Sequence, residues 1–136
     1  MQRYFADTWY FIALLDRRDS AHRAALRIDR MIRSERVITH DGVLTELLTF
    51  YSSEGERSRA DAVRFVRDTL WNHEVVPADR PLFLRALDQY ERRIDKRYSL
   101  VDCMSMVLVR ERGINFVLTD DHHFRQEGFT VLSDAS

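Results

Sequence analysis

Short apolar runs alternate along this chain with longer stretches of helical periodicity. Arg3-Tyr4-Phe5-Ala6 predicts a first strand, and Val37-Ile38-Thr39, Glu74-Val75-Val76, Phe116-Val117-Leu118 and Thr130-Val131-Leu132 predict four more. A helix follows the first strand over Thr8 to Leu15. A second runs from cap residues Asp19-Ser20-Ala21 to about Arg33, with Ala24, Ala25, Ile28, Met31 and Ile32 near one face. A third starts at Asp41 or Gly42 and ends near 52–55, and a fourth covers Ser58 to about Trp71. Pro81 sits in the first turn of a fifth, which runs to about Ile94. Ser99 caps a sixth that Gly113 ends. Strands this short, alternating with helices, predict an α/β fold: a three-layer α/β/α sandwich around a mainly parallel sheet, built as one domain over 1–136.

Four acidic residues stand in or beside the apolar stretches of this pattern. Asp7 ends the first strand, Glu46 interrupts Val43-Leu44-Thr45-Glu46-Leu47-Leu48, Asp102 lies in the most apolar segment, and Asp121 follows Phe116-Val117-Leu118-Thr119. Ligands of a parallel sheet collect beyond the carboxyl ends of its strands. Asp7 and Asp121 fall at that rim, and Glu46 and Asp102 near the starts of helices that face it. Burying several carboxylates together is costly unless a cation gathers them, so the four predict one divalent-metal site. Each acid also has an alternative: an N-cap for Asp7, a solvent-reaching side chain for Glu46, a Ser99-x-x-Asp102 capping box, and an Asx-type turn for Asp121.

Composition changes this picture little. The 136 residues carry a formal net charge of −1, which gives no overall attraction to nucleic acid. Arg92, Arg93, Lys96 and Arg97 form one basic cluster, and Arg57, Arg59, Arg64 and Arg67 another; each reads either as an approach for an anion or as a solvated, salt-bridged face. No apolar run approaches membrane-spanning length and no secretory leader pattern opens the chain, so the expected location is the cytoplasm. Cys103, the lone cysteine, reads as a buried, inert thiol. His122 and His123 read as solvent-facing loop residues rather than metal ligands, because adjacent histidines do not face one ion from regular structure. Phosphate-binding glycine loops and the G-x-S-x-G esterase motif are absent.

At these residues the chain resembles PIN-domain ribonucleases, and most closely the small VapC-type toxins of toxin–antitoxin pairs. The family's Asp-Thr pair after the first strand is matched by Asp7-Thr8, and its helical Glu by Glu46. Its Ser/Thr-x-x-Asp helix start is matched by Ser99-Leu100-Val101-Asp102, and its Thr-x-Asp-x-x-Phe turn by Thr119-Asp120-Asp121-His122-His123-Phe124. Asp19 and His22 fit an Asp-x-x-His segment before the second helix.

The resemblance implies an endoribonuclease in which Asp7, Asp102 and Asp121 hold Mg²⁺ or Mn²⁺, directly or through water. Glu46 is then a further ligand or the group that orients and deprotonates the attacking water. Thr8, Ser99 and Thr119 support these carboxylates or a phosphate, and Asp120 either shares the role of Asp121 or shapes the turn. It further implies an RNA substrate, a cognate antitoxin and a homodimer, with no membrane partner. Trp9, Tyr10 and Phe11 are candidates for the antitoxin groove or for the interior. The competing readings are a catalytically weak PIN domain serving as an interaction module in RNA processing, and a metal phosphohydrolase of small phosphoesters.

Overall fold

The computed structural model describes residues 2–134. Its elements in chain order are β1 (Arg3–Ala6), α1 (Thr8–Leu15), α2 (His22–Met31), β2 (Arg36–His40), α3 (Asp41–Phe50), α4 (Glu56–Asn72), β3 (Glu74–Val76), α5 (Arg80–Arg92), α6 (Leu100–Arg112), β4 (Phe116–Leu118), α7 (His122–Gln126) and β5 (Val131–Leu132). The five strands form one sheet in the order β3-β2-β1-β4-β5, and every pairing is parallel.

Parallel strands need crossover connections, and these are nearly always right-handed. The chain steps from β1 outward to β2 and β3, then returns across the sheet to β4 and β5. Steps in opposite directions place helices on opposite faces, which makes the three layers. β1 is the switch point of this order, where a parallel sheet opens a crevice at its carboxyl edge. Phe5 and Ala6 of this central strand are wholly buried, as are Phe11, Ile38, Leu47, Met106, Leu118 and Phe124 around it. α6 is buried along Cys103–Val109 and carries the thiol of Cys103 inside, with its pKa pushed up to about 11 by burial. Among the described residues, no helix is long and apolar enough to cross a membrane.

Several boundaries differ from the pattern reading, each for a local reason. α2 starts three residues after Asp19, because the Asp19 carboxylate accepts from Ala21 N and spends itself on the preceding turn. Met31 lies exposed on α2 rather than on its buried face. α3 ends at Phe50, short of the Ser52 to Gly55 stretch, and α4 then begins at Glu56, because Gly55 at φ 96 turns the chain directly into it. α5 stops at Arg92, leaving Ile94 beyond it and exposed. α7 was expected only as a turn. It forms because Asp121 accepts from His123 N, a cap that the Asx-turn reading shares with a short helix start.

Candidate metal centre

The sheet register builds the centre. Ala6 pairs with Leu118, so the next residues, Asp7 and Thr119, leave the sheet side by side. Thr119 Oγ1 donates to Asp7 Oδ2 at 2.8 Å and accepts from Asp121 N at 3.1 Å. One buried hydroxyl thus links the ends of two strands. Asp7 stands at the N-cap position of α1 but makes no capping hydrogen bond, so its carboxylate is free to face the crevice. It is only 7% exposed. Burial pushes its pKa up to about 7; the Thr119 bond opposes this, and the charges of Asp102 and Glu46 add to it.

Glu46 arrives from α3 and is half-buried rather than reaching into solvent. Thr8 Oγ1, next to Asp7, donates to Glu46 Oε1 at 2.6 Å. Burial raises the Glu46 pKa, and the charge of Asp102 raises it further. The start of α3 is fixed by a residue the pattern reading overlooked. His40 is fully buried, and its Nδ1 accepts from Gly42 N at 3.0 Å. Its Nε2 meets Ser105 Oγ of α6 at 2.9 Å. Ser105 Oγ itself donates to Val101 O, so the imidazole is the donor of that contact and is neutral. Burial lowers its pKa to about 4. The sequence signal was present: a polar residue ending an apolar strand directly before a helix.

Asp102 forms the capping box and also lies within electrostatic reach of the other acids. Its backbone N donates to Ser99 Oγ at 3.0 Å and its Oδ2 accepts from Ser99 N at 3.1 Å, a complete capping box. Its charge also couples to Asp7, Glu46 and Asp121. Burial raises its pKa, with Asp121 adding and His123 opposing. Ser99 thus holds the start of α6, and its backbone N–H and its side chain both hydrogen-bond the Asp102 carboxylate.

Asp121 caps α7 and joins this set, whereas Asp120 is exposed and its side chain bonds to Trp9. His122 is exposed as expected, but His123 is not a solvent-facing loop residue. Its side chain is 19% exposed, and its Nδ1 lies 3.3 Å from Asp121 Oδ1 and 3.6 Å from Asp102 Oδ2. The helical turn of α7 swings it inward, against the Tyr98 ring at 5.0 Å. Among the described residues, the side chains that offer ligand atoms within 4.8 Å of one another are Asp121, His122 and His123. Tyr10 and Phe11 are interior, and Trp9 packs partly against the core. The apolar groove beside the acids is instead lined by Thr8, Ile12, Thr45, Thr49, Phe50 and Met104, and reaches Glu46.

These residues fit a hard divalent cation. Carboxylate oxygens suit Mg²⁺ and Mn²⁺, and neighbouring acids raise the pKa values of three of the four: Asp102 and Glu46 act on Asp7, Asp102 on Glu46, and Asp121 on Asp102. The buried Nδ1 of His123 also has no hydrogen-bond partner. Clustered like charge and an orphaned buried nitrogen are both relieved by a cation between them.

The PIN domain family model matches residues 4–129. The chain is 30% identical over 129 residues to the 23S rRNA-specific endonuclease VapC20 of Mycobacterium tuberculosis, covering 94% of this chain and 96% of the relative. The crystal structure of VapC20, described as a sarcin-ricin loop cleaving toxin, matches with a TM-score of 0.80 at 26% identity over 93% of this chain and 96% of that one. VapBC2 of Rickettsia felis, bound to a promoter DNA fragment, matches with a TM-score of 0.70 over 96% and 98% of the two chains. At 10% identity, that likeness is one of fold.

Proposed function

This chain belongs to the PIN-domain family and is an endoribonuclease of the VapC toxin type, and from that premise we propose that Asp7, Glu46, Asp102 and Asp121 are its catalytic set, working with Mg²⁺ or Mn²⁺ on ribosomal RNA of the large subunit. The observation that carries the assignment is the burial of Asp7 at the switch point of the sheet, electrostatically coupled to Asp102 and Glu46. The substrate class rests on the likeness to VapC20 over nearly the whole chain.

Asp7, Asp102 and Asp121 hold the cation, directly or through water. When bound, the ion makes the attacking water more acidic and offsets charge growing on the phosphate. Glu46, with its raised pKa and its Oε1 fixed by Thr8, orients that water and takes its proton as the P–O bond to the leaving group breaks. Thr119 keeps Asp7 and the Asp121 turn at a fixed separation. The basic residues Arg92, Lys96 and Arg97, all exposed, steer the RNA backbone toward a pocket that is otherwise acidic. Purified protein should cleave large-subunit RNA in Mn²⁺, and Asp7→Asn or Asp102→Asn should lose at least ~10²-fold in rate, because amides bind hard cations poorly. Full cleavage by Asp102→Asn would remove that residue from the mechanism.

The protein acts in the cytoplasm and is paired with a cognate antitoxin. It is also a homodimer: Leu84, Leu87 and Tyr90 form an exposed apolar stripe on α5. Light scattering should report a dimer for the unaltered chain and a monomer for Leu87→Glu.

A further inference from the structure

We propose that the His123 imidazole is itself a ligand of the catalytic cation, adding a nitrogen donor to the carboxylates and biasing this centre toward Mn²⁺ over Mg²⁺. The inference rests on the assignment of Asp102 and Asp121 to the cation.

The geometry carries it. His123 Nδ1 is enclosed, has no hydrogen-bond partner, and stands 3.3 Å from Asp121 Oδ1 and 3.6 Å from Asp102 Oδ2. Two neighbouring ligands, each about 2.1 Å from an ion and at right angles, stand roughly 3.0 Å apart. The observed spacings need only a small contraction around an ion. An Nδ1 this close to two carboxylates carries a positive centre between it and them, a proton in the metal-free protein and the cation in its place when the ion binds. The ring is also held in place by packing. It packs on Tyr98 at 5.0 Å, and the Tyr98 hydroxyl donates to Glu127 Oε2 at 2.9 Å. Glu127 is in turn gripped by Arg93 and Arg110. A Tyr98 ring anchored in this way limits the orientations open to the imidazole.

The consequence is selectivity. Mg²⁺ is served by oxygen and water, whereas imidazole raises affinity for later divalent ions. His122 reaches the same Asp121 oxygen from 3.8 Å but is 73% exposed, so it stands at the rim and serves as the control.

The test uses the full chain stripped with EDTA and titrated with MnCl₂ or MgCl₂ alone. In the unaltered protein, pulsed electron paramagnetic resonance of bound Mn²⁺ should show ¹⁴N coupling, a readout independent of cleavage and of any mutation. His123→Ala should abolish that coupling and weaken Mn²⁺ binding about 10-fold or more, leaving Mg²⁺ binding within about 3-fold. His122→Ala should keep the coupling. Bound Mn²⁺ without ¹⁴N coupling overturns the inference while leaving the carboxylate centre standing, as does an equal loss of both ions in His123→Ala. Failure of either ion to bind the unaltered protein overturns the inference together with the metal reading beneath it.

Discussion

In the proposed centre Asp102 does two jobs with one carboxylate, capping α6 and holding the cation, and two substitutions separate them. Asp102→Asn keeps an oxygen that can accept from Ser99 N while removing a charge that raises the pKa values of Asp7 and Glu46. Its metal-free stability should equal or exceed that of the unaltered protein. Asp102→Ala loses the cap acceptor and should cost about 0.5–2 kcal/mol. Urea melts in EDTA measure both, and an Asn variant as unstable as the Ala variant would leave Asp102 a capping role only. The pH dependence of the metal-free fold has two opposed contributors. The Asp7 pKa is raised from 3.8 to about 7, so its contribution is full below pH 4 and is lost as pH rises through 7. The His40 pKa is lowered from 6.5 to about 4, so its contribution is full above pH 6.5 and is lost as pH falls toward 4. The difference between unaltered protein and Asp7→Asn cancels His40 and should show the variant gaining relative stability between pH 4 and 7. A flat difference would mean that burial and the neighbouring charges do not raise the Asp7 pKa. The acids were legible as charges misplaced in apolar runs. His123 was not, because its inward direction depends on a single helical turn that Asp121 starts.

At the scale of elements, the proposed active centre depends on how α3 and α6 are set against each other, since one carries Glu46 and the other Asp102. His40 sets this: it caps α3 through Gly42 N and donates to Ser105 of α6. Gly42 leaves room for the ring. A Cβ there would lie 2.8 Å from His40 Cε1 and 2.9 Å from Nδ1. Helix propensity alone would favour Gly42→Ala by about 1 kcal/mol. Displacing a buried, doubly bonded imidazole outweighs this, so the variant should lose about 1–3 kcal/mol and bind Mn²⁺ more weakly. Thermal melts and metal titration check both, and a gain in stability would show that the ring yields without consequence. The main helices and all five strands could be read from periodicity and end signals, as Ser99, Pro81 and Gly113 illustrate. The tie between α3 and α6 could not, because His40 and Ser105 are 65 positions apart.

For the whole molecule, topology concentrates negative charge at one end of a parallel sheet and places an apolar groove beside it. Alternating strands and helices made the parallel sheet legible, and with it the rim at which Asp7 and Asp121 stand. The strand order, with its switch at β1, was not, because nothing local encodes which strands become neighbours. This layout makes the cation part of the fold's stability. Saturating Mn²⁺ should raise stability over the EDTA-treated protein by about 1–3 kcal/mol, and coincident urea melts would argue that no site forms. We propose that the same layout defines what neutralises the enzyme. The groove along Ile12, Thr49, Phe50 and Met104 opens onto Glu46. A partner segment with apolar anchors, carrying one arginine or lysine, can fill it and extend the cation into the acids, replacing the charge of the metal by a charge-assisted hydrogen bond. The complex recovered with an endogenous partner should therefore bind Mn²⁺ at least ~10-fold more weakly than the free protein. Calorimetric titration of both forms decides it. Equal Mn²⁺ affinities would mean that the partner inhibits from elsewhere on the surface, and recovery of the free, active nuclease alone would remove the antitoxin from the account while leaving the ribonuclease intact.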